Sequence, residues 1–278
     1  MSSRTKSVIR PRRLIGWLGC AIAALASVPA HAAGFAAAAT PSRFELAARP
    51  GEVLSRSLQL QHVGGDAVEY VLRSADWTLD ETSGLRFYDA LQPGSCRPWL
   101  RLERRKMKMK ARSRRSLRFE VHVPKDAKVG ECRFALLIES YDQTAIPLIK
   151  DAPISLPLSG RLGVIVYVAV DGAQPRLQMI GVSHGKDAGE KIPFVKVRNA
   201  GSAHGRLEGV LQGRDAAGKT YYFPIATLPV LPGQERGLAL IPAEDLRSKK
   251  RPKVVYPVTL TGRLDWDAGH FDVEATVK

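Results

Sequence analysis

Residues Gly213-Arg214-Asp215-Ala216-Ala217-Gly218-Lys219-Thr220 spell G-x-x-x-x-G-K-[ST], a pattern able to turn backbone amides and a lysine toward nucleotide phosphates. That chemistry needs a helix starting at the Lys-Thr pair, so that unpaired helix amides meet the phosphates. Tyr221-Tyr222-Phe223-Pro224 follows instead, strand-like and then broken by proline, so Asp215 to Gly218 is predicted to be a hairpin turn. Gly181-Val182-Ser183-His184-Gly185 matches the G-x-S-x-G of a nucleophile elbow, which must sit between a strand and a helix to lift its serine. The polar, proline-ended stretch from Lys186 to Pro193 offers no helix, and the segment is predicted to be a surface loop. His62, His122, His184, His204 and His270 show no metal-ligand spacing. No catalytic residue, metal or cofactor is expected.

Charge is the other chemical resource. The 278 residues hold 42 Lys and Arg against 27 Asp and Glu, a formal +15, which excludes an acidic solvating chain and suits an anionic partner. The excess concentrates in Arg104-Arg105-Lys106-Met107-Lys108-Met109-Lys110-Ala111-Arg112-Ser113-Arg114-Arg115. Lys106, Lys108 and Lys110 alternate with Met107 and Met109, so a strand here shows ammonium groups on one face and thioethers on the other. No nucleic-acid recognition module accompanies the run. It reads either as a patch for anionic lipid headgroups, lipopolysaccharide or an acidic client, or as a lysine-protected edge strand.

Part of the charge is an address. Arg4, Lys6, Arg10, Arg12 and Arg13 precede the apolar run Leu14 to Val28, and Ala30-His31-Ala32 supplies an A-x-A cleavage pattern before Ala33. Residues 1–32 are therefore predicted to be a cleaved signal peptide, directing the chain to the periplasm; the run is short of the ~20 residues a spanning helix needs. Cleavage removes Cys20 and leaves Cys96 and Cys132 in an oxidising compartment, where a disulfide is expected over two free thiols. Closing that loop is worth on the order of 3–4 kcal/mol in the chain-entropy account.

The elements that must carry these residues are strands. Period-2 alternation recurs over Arg43 to Ala47, Val53 to Gln61, Val68 to Trp77, Leu85 to Tyr88, Trp99 to Glu103, Ser116 to Val123, Arg133 to Tyr141 and Ile154 to Val170. After the breaker Asp171-Gly172-Ala173-Gln174-Pro175 it restarts over Arg176 to Val182, Phe194 to Arg198, Gly205 to Gln212, Thr220 to Ile225, Gly237 to Ile241, Val254 to Asp265 and Phe271 to Val277. The predicted fold is all-β: two immunoglobulin-like sandwiches in tandem, 33–170 and 171–278.

Three stretches carry a family resemblance. Val121-His122-Val123-Pro124-Lys125-Asp126-Ala127-Lys128-Val129-Gly130-Glu131-Cys132-Arg133 resembles the "V-x-V-P-x-x-A-x-x-G-x-Y-R" run of bacterial PapD-like pilus-assembly chaperones. Gly160 to Val168 looks like the long last strand of their first domain. Val197 to His204, with Asp215 to Lys219 and Val230 to Gly233, is similar to their second domain. The resemblance implies a periplasmic chaperone that holds unassembled pilus or fimbrial subunits by strand addition and delivers them to an outer-membrane usher. It implies a donor set on the last strand, for which Ile154, Leu156 and Leu158 share one parity; period 2 alone does not separate donation from packing in this chain's own core. It also implies two basic anchors for a client's terminal carboxylate. Arg43 opens the first strand; on the last, Arg161 stands two positions before the slot, which holds Gly163. The alternative function is an exported structural or adhesive surface protein on the same fold.

Overall fold

The computed structural model describes residues 36–80, 84–147, 155–187, 189–244 and 250–278, with side chains outside 141–159. The predicted signal peptide and Ile154 lie outside the described residues. Among the described residues ten strands precede Asp171: β1 (Ala37–Thr40), β2 (Arg43–Ala48), β3 (Val53–His62), β4 (Val68–Leu79), β5 (Leu85–Tyr88), β6 (Leu100–Leu102), β7 (Lys106–Met109), β8 (Arg114–His122), β9 (Gly130–Pro147) and β10 (Ser155–Val170). Seven follow: β11 (Leu177–Asp187), β12 (Glu190–Asn199), β13 (Val210–Asp215), β14 (Thr220–Pro224), β15 (Glu235–Ala239), β16 (Val258–Trp266) and β17 (Gly269–Val277).

The strands form the two predicted sandwiches. In the first, a sheet of order β1-β3-β8-β6 faces one of order β2-β10-β9-β4-β5, to which β7 adds by pairing with β4. Alternation places its core: Phe44, Leu46 and Ala48 of β2 turn inward while Arg43, Glu45 and Ala47 face out, and Leu117, Phe119 and Val121 do the same on β8. Phe44 meets Phe119 edge-on at 5.1 Å. Each such side chain contributes about 1.5–3 kcal/mol by leaving water. In the second sandwich β11-β12-β15 faces β14-β13-β16-β17 around Val195, Val197, Leu211, Phe223, Leu238, Leu260 and Leu264. Cys96 and Cys132 form the expected disulfide, with Cα atoms 6.0 Å apart, tying the 3-10 turn Arg97–Trp99 to β9.

One enzyme-like motif spans a hairpin and the other lies within a strand. Asp215 to Gly218 is the predicted hairpin turn between β13 and β14: Gly218 N–H donates to Asp215 O at 2.9 Å, and Gly218 takes a φ of 79° that favours glycine. Ser183, predicted to lie in a loop, is instead mid-strand in β11, paired with Phe194. The polar residues beyond it are the exposed edge of a hairpin that continues to Asp187 and Glu190, and Pro193 fits because its carbonyl accepts Leu240 N–H at 2.9 Å. Neither a helix nor a sharp turn adjoins the serine among the described residues. Gly205, predicted to open a strand, makes only an isolated bridge to Val230.

Candidate functional site

The candidate site is built on β10. This strand pairs with β9 antiparallel along its whole length, from Ser155 opposite Pro147 to Val170 opposite Gly130. Its other edge is covered only from Ile165 to Val170, where β2 runs parallel to it. From Ser155 to Val164 that edge has no ladder partner among the described residues. The reason lies at Pro41-Ser42. There the chain leaves β1, which pairs with β3 in the opposite sheet, and enters β2, so cover for β10 begins only at Arg43.

The predicted site residues fall into separate places. Leu156 and Leu158 lie on the uncovered backbone of β10, flanking Pro157, which has no N–H to donate. Arg43 stands opposite Ile165, where cover begins, with its Nε 2.8 Å from Glu45 Oε1 in an exposed pair. Arg161 lies four residues earlier on β10, about 13 Å along the strand from that level. Its Nε is 2.6 Å from Oε1 of Glu139, a carboxylate only 5% exposed, and Arg73 holds the same carboxylate through Nε at 2.8 Å and Nη2 at 2.9 Å. The vacant slot at Gly163 has a physical reason: a Cβ there would stand 2.8 Å from Cζ of Phe87 on β5.

Beside Arg43 the structure brings together residues that the sequence did not single out. A cleft of about 340 Å3 is lined by Arg43, Glu45, His204, Arg206, Glu208, Asp265, Trp266 and Asp267. Its four acids outnumber its two arginines, and would do so with His204 counted as well, so Arg43 sits in a mixed field and not in a purely basic clamp. Behind it the sandwiches touch. Leu231 of the second packs with Ala75, Trp77, Leu79, Ala135, Leu137 and Tyr167 of the first. Tyr167 stacks on His204 at 3.8 Å and takes Trp77 edge-on at 5.5 Å. Buried Glu131 accepts the His204 backbone N–H at 2.9 Å and lies 2.5 Å from its Nδ1, while Arg206 Nη2 donates to the Tyr167 hydroxyl at 3.2 Å. Burial pushes the Tyr167 phenol up to about 12, because the phenolate would lose its water; the Arg206 charge opposes this.

The alternating centre of the basic run is a strand. Lys106–Met109 forms β7 against Val68 to Val71 of β4, with Met107 and Met109 fully buried and the lysines exposed. Glu69 lies 3.6 Å from Lys106 Nζ and 4.0 Å from Lys108 Nζ. Lys110 and Arg112 occupy the turn that follows, and Arg114 and Arg115 open β8, all of them exposed.

No family model matches the chain, and no curated protein matches it. Solved structures do. The YadV chaperone is similar at 11% identity and a TM-score of 0.46, covering 87% of this chain and 99% of that one. The CupB2 chaperone of Pseudomonas aeruginosa is similar at 10% identity and a TM-score of 0.45, covering 87% and 100%. A chain of the Salmonella enterica SafA pilin and SafB chaperone complex is similar at 15% identity and a TM-score of 0.44, covering 86% and 97%.

Proposed function

We propose that the chain is a periplasmic chaperone of the PapD-like type, which holds unassembled pilus or fimbrial subunits by strand addition, hands them to an outer-membrane usher, and catalyses no reaction. The observation that carries the reading is the uncovered edge of β10 from Ser155 to Val164. Unpaired strand amides and carbonyls are a template for another chain, and sheets ordinarily blunt them with charge. The β7 edge is blunted in this way by Lys106 and Lys108. The β10 edge carries Leu156, Leu158, Leu162 and Val164 and a single charge, Arg161, which is drawn to Glu139. An edge so bare of charge in the same molecule fits one that is meant to be covered. The residues assigned to the client are Ile154, Leu156 and Leu158 for a groove in the subunit, and Arg43 and Arg161 for its terminal carboxylate, each exchanging its internal acid for the client's. The sequence motifs that resemble this family support the same reading.

The test is co-expression with a pilus subunit and purification of wild type beside the Ile154→Ala, Leu156→Ala, Leu158→Ala variant. Each side chain buried in a client is worth about 1.5–3 kcal/mol, so the triple variant should lose the subunit while melting like wild type. Normal melting with the subunit still held would sink the assignment. A much lower melting temperature would place the three residues in this chain's own core.

A further inference from the structure

We propose a second site, at a different place from the client-binding edge: an arginine-lined cavity that takes a phosphate group. The cavity, about 490 Å3, opens where the chain crosses between the sheets of the first sandwich, and Arg73, Arg97, Arg101 and Arg105 all line it, with Asp89 as its one acidic wall residue. Two of these guanidinium groups are fixed by the fold. Arg97 donates through Nε to Ser74 Oγ at 3.2 Å, through Nη2 to Ser74 O at 2.7 Å and through Nη1 to Asp89 O at 2.9 Å, and lies 3.5 Å from Asp76. Arg73 is held by Glu139. The other two line the cavity and form no ion pair among the described residues. Among the described residues Arg101 uses only Nη1, on the carbonyls of Pro98 at 2.6 Å and Leu100 at 3.0 Å. Arg105 has no side-chain partner among the described residues; only its backbone carbonyl is used, by Leu72 N–H at 2.8 Å.

The inventory selects the ligand. Asp76 pairs with Arg97 and Glu139 is shared by Arg73 and Arg161, whereas Arg101 and Arg105 form no ion pair among the described residues: Asp89 is the one acid lining the cavity, and Glu120, opposite Arg101 on β8, lies 2.7 Å from His122 Nε2. Two planar forks on the wall of one cavity match the several oxygens of a phosphate better than the two of a carboxylate, and guanidinium binds such oxygens in pairs. Arg105 also runs directly into β7, so a phosphate-rich surface seated in the cavity continues onto Lys106, Lys108 and Lys110. The strip thereby becomes the long-range field of a site whose short-range contacts are arginines.

The phosphate could be free or carried on a lipid headgroup, and two probes separate these sources: inorganic pyrophosphate by calorimetry, and phosphatidylglycerol vesicles by co-sedimentation at low salt. The Arg101→Gln, Arg105→Gln variant should bind at least tenfold more weakly to whichever probe the wild type binds, with an unchanged melting temperature. Pyrophosphate binding assigns a soluble phosphate compound; binding to vesicles alone assigns the lipid. The Lys106→Gln, Lys108→Gln, Lys110→Gln variant should lose vesicle affinity and keep at least half of its pyrophosphate affinity. If the glutamine pair melts lower, the Arg101→Lys, Arg105→Lys variant decides, since it keeps the charge and loses the forks: weakening of threefold or more upholds the cavity, and wild-type affinity rejects it. The proposal is overturned if wild type binds neither probe, if the arginine variants bind as wild type does, or if the lysine variant abolishes pyrophosphate binding.

Discussion

Glu139 shows how little of a side chain's partnership a linear sequence reveals. It sits on β9 opposite both Val71 and Arg161, and two arginines from different strands close on one carboxylate buried to 5% exposure. Arg161 was legible as a basic residue on the last strand of the first sandwich, but the carboxylate that engages it was not, because the contact depends on register between strands far apart in sequence. The same holds for Arg206 and His204, which reach the cleft beside Arg43 only once the second sandwich is in place. The energetics differ sharply between these pairs. Glu139→Gln leaves two guanidinium groups facing a neutral amide, and charged hydrogen bonds of this sort are worth about 1.5–3 kcal/mol. Their arginine partners are partly exposed, so the lower part of that range applies, and the melting temperature should fall by roughly 3–6 °C. Arg43→Gln breaks an exposed pair with Glu45 and should shift melting by less than about 2 °C. Equal shifts in the two variants, measured by thermal unfolding, would refute this ranking.

At the scale of the element, strands that bury one face were readable and strands at margins were not. β2, β8 and β14 lie within two residues of their predicted bounds because alternation and burial coincide in them. β1 went unread: Ala37–Thr40 is three alanines and a threonine, with too little side chain to show a period. β11 runs past its predicted end at Val182 to Asp187, since an edge strand exposed on its flank has no apolar alternation to display. β7 is the instructive case, because a run dominated by charge still betrays its strand through two methionines. Met107 and Met109 are 2% and 1% exposed inside the first core, while Lys106 and Lys108 stand in solvent. Met107→Ala or Met109→Ala should therefore cost about 2–5 kcal/mol each, as large-to-small changes in a core do. Lys106→Gln and Lys108→Gln should fall within about 0.5 kcal/mol of wild type. Denaturant unfolding of the four single variants checks this, and a methionine variant as stable as the lysine variants would contradict the burial of the thioether face.

For the whole molecule, what the sequence left open was how the two sandwiches meet, and Tyr167 is the residue on which that contact turns. It comes from β10, stacks on His204 and receives a hydrogen bond from Arg206, both of the second sandwich. Its phenol is pushed up to about 12, against about 10 in an unfolded chain. The sign follows from proton binding: between pH 10 and 12 the folded state keeps a proton that the unfolded state has released, so the stability gained from the neutral phenol is complete below pH 10 and is lost as pH rises toward 12. Tyr167→Phe removes the ionisable group. It also removes the Arg206 hydrogen bond, so the variant should be less stable than wild type at pH 8 by about 1 kcal/mol. From pH 8 to pH 11 wild type should then lose about 1 kcal/mol more than the variant does, narrowing the gap between them, because every other titrating group is common to both. Denaturant midpoints of the two proteins at pH 8, 9, 10 and 11 give the comparison directly. Parallel curves would mean that Tyr167 ionises as freely in the folded protein as in the unfolded one, and that water reaches the contact between the sandwiches.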